Sequence, residues 1–162
     1  MEIKIAIDTD IPVVYNLMLE AFEEYRTFDV PSSALNESLE ALQKAVKSNL
    51  EEALLCSING VSVGSCRFTM KEDTLYFSRL SVTPLARGKG IAKAVLLWLE
   101  KYAYNHSIGK IECRVRVSLP KNISLYKSLG YSITKEEAVT NPNGILVNTV
   151  VMEKTLINSV PL

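Results

Sequence analysis

The chain has 162 residues, 48% of them hydrophobic, which is room for one domain with a sizeable core and an ordinary composition for a soluble globular protein. Eighteen basic and eighteen acidic side chains cancel to a formal net charge of zero, so a nucleic-acid partner, which calls for a basic excess, is not expected. No apolar run approaches the roughly 18–20 residues that span a bilayer. The three cysteines (Cys56, Cys66, Cys113) lack metal-ligand or Cys-x-x-Cys spacing, so a reduced, cytoplasmic protein without a metal or membrane contact is expected.

Residues 2–7 (E-I-K-I-A-I) alternate polar and apolar, which predicts a half-buried strand. Asp8, Thr9 and Asp10 then offer helix-capping side chains, with Pro12 tolerated in a first turn. Ile11, Val14, Met18, Ala21, Phe22 and Tyr25 follow at helical spacing. After a polar and aromatic connection broken by Pro31, a second helix is predicted from Ser32 or Ser33, its stripe made by Leu35, Leu39, Leu42 and Val46. Residues 51–58 and 61–70 read as strands joined by an Asn59-Gly60 type I′ turn, and residues 74–82 as a third strand ended by Pro84.

A basic, glycine-rich turn comes next, with Arg87, Gly88, Lys89 and Gly90 at the start of a long apolar helix that carries Ile91, Val95, Leu96, Trp98, Leu99, Tyr102 and Ala103. A helix N-terminus presents unpaired N–H groups and a partial positive charge. The glycines let an anion approach the backbone. Arg87, Lys89 and Lys93 add formal charge, and the turn reads as a polyphosphate site. Beyond it, residues 110–117 alternate as a strand, residues 122–129 form a short helix closed by Gly130 as a left-handed cap, and residues 131–139 and 145–155 are two final strands.

Two stretches carry a resemblance. R-G-K-G-I-A at residues 87–92 resembles the Arg/Gln-x-x-Gly-x-Gly/Ala pattern of the GNAT superfamily of N-acetyltransferases, and L-Y-K-S-L-G-Y at residues 125–131 is similar to that superfamily's second motif. The element order agrees over nearly the whole chain. The resemblance implies a single α+β domain: a mixed, mostly antiparallel sheet of about seven strands flanked by four helices, splayed between the strands at 74–82 and 110–117. It also implies direct transfer of an acetyl group from acetyl-CoA to a primary amine of a small molecule or peptide. The pantetheine would pair with the strand edge at Leu80, Ser81 and Val82, a form of strand addition. The pyrophosphate would lie on the amides of Gly88, Lys89, Gly90, Ile91, Ala92 and Lys93, with Arg87 beside them.

Tyr126 matches the tyrosine that, in such enzymes, protonates the departing thiolate. An asparagine seven residues earlier contacts the cofactor in many relatives; that position is Leu119 here, and the nearest asparagine, Asn122, caps the helix, touches the cofactor, or does both. The strand glutamate that many relatives carry before the turn is replaced by Tyr76, with Ser78 nearby. The remaining candidates for a base acting through water are Glu112, Glu72, Glu23 and Glu24. A lysine-like amine near pKa 10.4 costs about 4–5 kcal/mol to neutralise at pH 7, an α-amino group only about 1 kcal/mol. Without a strong base, the α-amino group is the expected acceptor. Arg114 and Arg116 either clamp a substrate carboxylate or pair with acids of the first helix, and Tyr25, Arg26 and Phe28 line the acceptor side in related folds.

Other chemistries fit less well. A dinucleotide fingerprint needs a third glycine where Lys93 stands, and a P-loop needs Ser or Thr where Gly90 follows Lys89. The sole histidine, His106, lies in a polar stretch where it suits a helix C-terminus better than a hydrolase triad. The alternative to an enzyme is a non-catalytic acyl-CoA-binding regulatory module. A homodimer through the C-terminal strands is a further expectation of the family.

Overall fold

The structure is a computed structural model that describes residues 1–156. Eleven elements follow one another: β1 (Glu2–Ile5), α1 (Ile11–Phe22), α2 (Leu39–Lys47), β2 (Glu52–Ile58), β3 (Val61–Lys71), β4 (Thr74–Val82), α3 (Ile91–Asn105), β5 (Lys110–Arg116), α4 (Pro120–Ser128), β6 (Ser132–Thr140) and β7 (Leu146–Thr155). The strands form one seven-stranded sheet in the order β1-β2-β3-β4-β5-β7-β6. Of the pairings, β4–β5 is parallel, while β1–β2, β2–β3, β5–β7 and β6–β7 are antiparallel. The expected α+β architecture, with a mostly antiparallel sheet and four helices, is what forms.

The described residues fall into two units, one made of Met1–Thr69 and Phe77–Trp98, the other of Met70–Tyr76 and residues 99–156. In the first unit, Ile11, Val14 and Leu17 of α1 and Leu42 of α2 pack with Ala6, Ala53 and Leu55 in one core cluster. Each large apolar side chain so buried contributes up to about 1.5–3 kcal/mol. The β2–β3 hairpin turns at Asn59 (φ 51°) and Gly60 (φ 80°), the two positive dihedrals a type I′ turn requires. In the second unit, Ile111, Cys113 and Val115 of β5 are buried, as are Leu99 and Ala103 of α3 and Val150, Val151 and Met152 of β7.

Three elements depart from the sequence reading. The predicted second helix is two pieces. A 3₁₀ turn at Ser33–Asn36 ends on Glu37 in an extended conformation, and α2 starts afresh with Ser38 as its N-cap, accepting from Ala41 N–H at 3.1 Å. Leu35 therefore belongs to a different element from Leu39, Leu42 and Val46. The short helix α4 begins at Pro120, two residues before Asn122. The helix α3 is less enclosed than its composition suggests, since Leu97 is 52% exposed and its buried face is Ile91, Val95, Leu96, Leu99 and Ala103.

The β4–β5 ladder has three residue pairs, Thr74↔Lys110, Leu75↔Ile111 and Tyr76↔Glu112, on strands of nine and seven residues. These pairs cover only the first part of each strand. No helix among the described residues is long and apolar enough to cross a membrane.

Candidate active site

The anion turn lies in the first unit. After β4, a 3₁₀ turn at Pro84–Ala86 leads to Gly88 (φ 78°) and Gly90 (φ 77°) and then into α3. A Cβ at either glycine would meet nothing within 4 Å, so both are there for the left-handed backbone rather than for lack of room. Ala94 N–H donates to Gly90 carbonyl at 3.0 Å, which closes the first turn of α3. The amides ahead of it are the first of the helix and have no intrahelical acceptor, which is what a helix N-terminus offers an anion. Gly88, Lys89, Gly90 and Lys93 are exposed, Ala92 is half-buried, and Ile91 is buried as the anchor of the turn. Open space over two left-handed glycines, a helix N-terminus and two exposed lysines fit a diphosphate.

Arg87 is committed elsewhere. Its guanidinium donates to Glu24 Oε2 at 3.0 Å, to Ala21 carbonyl at 2.9 Å and to Val82 carbonyl at 3.4 Å. The cation thus sits at the C-terminal end of α1, where the helix dipole favours it. Of the three charges expected to serve the anion, Lys89 and Lys93 are the two not held in this way.

In the strand that leads to the turn, one residue leaves the extended conformation. Arg79 is left-handed (φ 54°) within β4, a conformation that costs a non-glycine residue about 1–2 kcal/mol. Its carbonyl accepts from Ser81 Oγ at 2.9 Å, and its guanidinium donates to Glu37 Oε1 at 2.9 and 3.2 Å and to Ser33 Oγ at 3.2 Å. Ser81 is buried, while Leu80 and Val82 are half-buried. A Cβ at Gly64 of β3 would approach Ser81 carbonyl to 3.2 Å and Ile91 Cγ2 to 3.1 Å, so that glycine permits the close packing behind this strand.

Glu37 is the hub of a cluster that the sequence reading did not contain. Arg67 of β3 donates to both Glu37 carboxylate oxygens, to Glu51 Oε1 at 2.8 Å and to Met18 Sδ at 3.4 Å. Tyr15 Oη holds Glu37 carbonyl at 2.7 Å. Burial alone would raise the Glu37 carboxyl, but hydrogen bonds and charge from Arg67 and Arg79 outweigh it and hold the group below the usual range. An arginine between Cys66 and Phe68, both buried, was the one available signal that this strand face holds charge. Nearby in sequence, Tyr25 packs edge-to-face on Phe22 (5.5 Å) and Phe28 (5.2 Å), and Arg26 pairs with Glu23.

The remaining candidates lie in the second unit. Tyr126 on α4 is 8% exposed, and its ring centroid is 5.9 Å from that of Tyr131. Asn122 is inside the first turn of α4, its N–H bonded to Leu119 carbonyl at 3.1 Å; the N-cap is Leu119, so the capping role proposed for Asn122 is excluded. Tyr76, 38% exposed, and Glu112 are register partners in the parallel ladder. Glu112 also faces Glu153 across the β5–β7 ladder. Burial, and then the Glu153 charge, push the Glu112 carboxyl up, against the pull of Lys110 and Arg114. Arg114 pairs with Glu137 of β6 and donates to Thr149 Oγ1 at 2.9 Å, so of the two roles the sequence left open for it, pairing with acids of α1 is not the one that forms. His106 rests as expected against its helix end, Nδ1 2.7 Å from Tyr102 carbonyl, with the rings stacked.

A mixed sheet with a short parallel ladder, and a glycine turn that feeds a helix N-terminus, agree with the acetyltransferase architecture that the sequence resemblance implies. The acetyltransferase (GNAT) family model matches residues 12–131, and the chain belongs to that family. It is an N-acetyltransferase that uses acetyl-CoA. Among solved structures it is similar to a ribosomal-protein-alanine N-acetyltransferase from Brucella melitensis, with 20% identity over 96% of this chain and 100% of that one and a TM-score of 0.78. A mutant spermidine N-acetyltransferase from Vibrio cholerae shows 18% identity over 99% of this chain and 98% of that one, with a TM-score of 0.75. A putative acetyltransferase from Salmonella typhimurium, solved with acetyl-CoA, shows 22% identity over 96% and 93%, with a TM-score of 0.71. No curated protein matches the sequence. The alternative of a non-catalytic binding module finds no support in these comparisons.

Proposed function

We propose that the chain, read as one acetyltransferase domain, acetylates the α-amino group of a peptide or small molecule, with Glu112 as proton acceptor and Tyr126 as proton donor. Acetyl-CoA, when bound, supplies the acetyl group as a thioester activated towards an amine. The amides of Gly88, Lys89, Gly90, Ile91, Ala92 and Lys93 hold its diphosphate, and the backbone of Leu80, Ser81 and Val82 registers its pantetheine. Lys89 and Lys93 supply the neutralising charge. Asn122, exposed in part in the first turn of α4, adds a polar contact to the same molecule. Tyr25 and Tyr76 border the acceptor, and Arg114 orients it.

The observation that carries the reading is the raised carboxyl of Glu112 at the last pair of the β4–β5 ladder, beside Tyr76. A carboxyl above the ordinary glutamate value is a better proton acceptor near neutral pH. It still falls well short of a lysine-like amine, whose deprotonation would ask about 4–5 kcal/mol. An α-amino group at about 7.7–8.0 asks only about 1 kcal/mol, which a modest base can meet. The ribosomal-protein-alanine enzyme among the structural neighbours has a name that fits such an acceptor. The protonated hydroxyl of Tyr126 then serves the departing sulfur. Three unbridged, buried cysteines support a reducing, cytoplasmic setting, and β6, at the sheet edge, is the surface we assign to a homodimer.

The test is thiol release from acetyl-CoA across a panel of alanine-initiated peptides, free amino acids, spermidine and peptides with lysine as the sole amine. The α-amino acceptors should give the highest kcat/KM, with an acidic limb in its pH profile that Glu112→Gln removes. A lysine side chain as the best acceptor would overturn the assignment of the acceptor, and an unchanged limb in the variant would overturn the base.

A further inference from the structure

Lys154 of β7, Glu100 of α3 and Tyr131 make up a second cluster that the reaction as described does not use. Lys154 Nζ donates to Glu100 Oε1 at 2.8 Å and to Leu129 carbonyl at 3.0 Å. Tyr131 Oη donates to the other oxygen, Glu100 Oε2, at 3.3 Å, and the ammonium lies 5.9 Å from the centroid of the Tyr131 ring. The Glu100 side chain is 13% exposed and that of Lys154 28%. Burial, and then the negative charge of Glu100, push the Tyr131 hydroxyl far up, so it remains a donor throughout the working range of the protein.

We infer that the Glu100–Lys154 pair is a positioning device for Tyr126, a clamp on the C-terminal end of α4 that fixes the proton donor. The inference rests on the reading of Tyr126 as that donor. The ammonium caps the Leu129 carbonyl just past the end of α4, where a cation also complements the helix dipole. Directly behind it, the Tyr131 and Leu129 amides donate to the Tyr126 carbonyl at 3.0 and 3.1 Å. The ring of Tyr131 flanks that of Tyr126 at 60°. The two amides that donate to the Tyr126 carbonyl thus belong to residues that Lys154 or Glu100 holds through another atom.

Gly130 shows that the clamp is built into the turn. It adopts φ +95°, and a Cβ there would lie 3.3 Å from Lys154 Cε and 3.5 Å from Nζ, so the residue supplies the left-handed cap and also leaves the lysine its path. Stability alone is a poor reason for such a pair. A mostly buried ion pair roughly breaks even against apolar side chains of the same volume, because desolvation offsets the attraction. What a pair adds over a methionine at the same place is direction: two donor groups and three acceptor oxygens fixed at known distances. A donor tyrosine misplaced by about 1 Å loses up to about 10²-fold in rate, so direction at this turn is felt in kcat.

Lys154→Met, Lys154→Arg and Glu100→Gln test the clamp in the full chain, each alone and combined with Tyr126→Phe. With the best acceptor of the amine panel, Lys154→Met should lower kcat about tenfold and leave the acetyl-CoA Kd, measured by calorimetry, within about twofold. In the Tyr126→Phe background it should lower kcat no further, since the group it positions is gone. Hydrogen exchange on the acetyl-CoA-bound protein gives a readout without turnover: the amides of Leu129, Gly130 and Tyr131 should exchange about tenfold faster in Lys154→Met, with those of β5 and β7 unchanged. Lys154→Arg, which keeps a cation near the carbonyl, should restore part of both effects. An equal loss of kcat in the two backgrounds, or unchanged exchange at these three amides, overturns the clamp. Wild-type kcat in Tyr126→Phe alone overturns the assignment of the donor, and the clamp with it.

Discussion

The anion turn at residues 87–93 and the connecting segment at residues 23–38 both belong to the first unit, yet their shapes are decided in different ways. The turn is local. Two glycines with positive φ, a helix start and nearby lysines fix what it can bind, and all of them fall within one short stretch. The segment is held from afar. Glu37 meets Arg67 and Arg79, 30 and 42 positions away, and its backbone carbonyl meets Tyr15, 22 positions away. A binding loop that recognises a common, invariant group needs only its own backbone. A segment held by side chains from distant strands takes its shape from whatever the core places beneath it.

Glu37→Gln, or Arg67→Met, breaks the second region and is expected to have the largest effect. Either leaves a charge mostly buried without its partner, which costs about 3 kcal/mol, or a Tm loss of about 6–12 °C at this chain length. The pH dependence has a definite sign. The folded carboxyl of Glu37 lies below its unfolded value, so its contribution is fully present above the unfolded pKa of about 4.3 and is lost as pH falls through the folded value. Glu37→Gln should flatten this acid limb of stability, measured by thermal unfolding from pH 7 down to pH 3. Unfolding curves of the same steepness for variant and parent would show that the cluster holds no net stability.

Gly90→Val breaks the first region, with an intermediate effect of another kind. A Cβ at this position has space, so the cost is the dihedral: about 1–2 kcal/mol for a β-branched residue forced left-handed, or a relaxed turn that no longer aims its amides. The acetyl-CoA Kd should rise about 10–30-fold, with the Tm lowered by only a few degrees. Gly90→Ala should fall between parent and valine variant. If both bind acetyl-CoA as the parent does, the turn is not the diphosphate site.

The same contrast explains what was legible in the sequence. The strand pattern marked β4 to the residue, the Asn-Gly pair marked the hairpin, and the glycines at 88 and 90 marked the left-handed turn into α3. The break between Ser33–Asn36 and α2 was not legible, because Leu35 continues the spacing of Leu39 and Leu42 while Ser38 alone marks the new cap. Arg79 gave no sign of its left-handed backbone, since only its guanidinium contacts with Glu37 and Ser33 make that conformation worth holding. The partner of Arg114 was not legible for a related reason: a strand pattern gives the face of a side chain but not which neighbouring element bears its acid, here β6 rather than α1, the second of the two alternatives the sequence left open. Glu112 was visible as a carboxylate on an alternating strand, but its carboxyl is raised by burial and then by Glu153, 41 positions on, and neither can be seen before the β5–β7 register brings Glu153 opposite.

Arg87 is where the two regions meet, and it sets the smallest expected effect. Its contacts run to Glu24 in the segment and to the Ala21 and Val82 carbonyls. The Arg87 and Glu24 side chains are 40% and 49% exposed, a range in which an ion pair adds about 0–1 kcal/mol and salt screens it. Glu24→Gln keeps both carbonyl contacts, so it should shift the Tm by less than about 3 °C and the acetyl-CoA Kd by less than about threefold. Arg87→Met removes all three contacts at once and should weaken acetyl-CoA more than Glu24→Gln does, through the turn rather than through lost charge on the diphosphate. Salt separates these two causes: a lost phosphate contact would reduce the salt dependence of Kd, whereas a slackened turn would leave that slope as in the parent. A change above tenfold from Glu24→Gln would mean that the segment governs the donor site, and the division between a local turn and a remotely built segment would fail at the one residue that joins them.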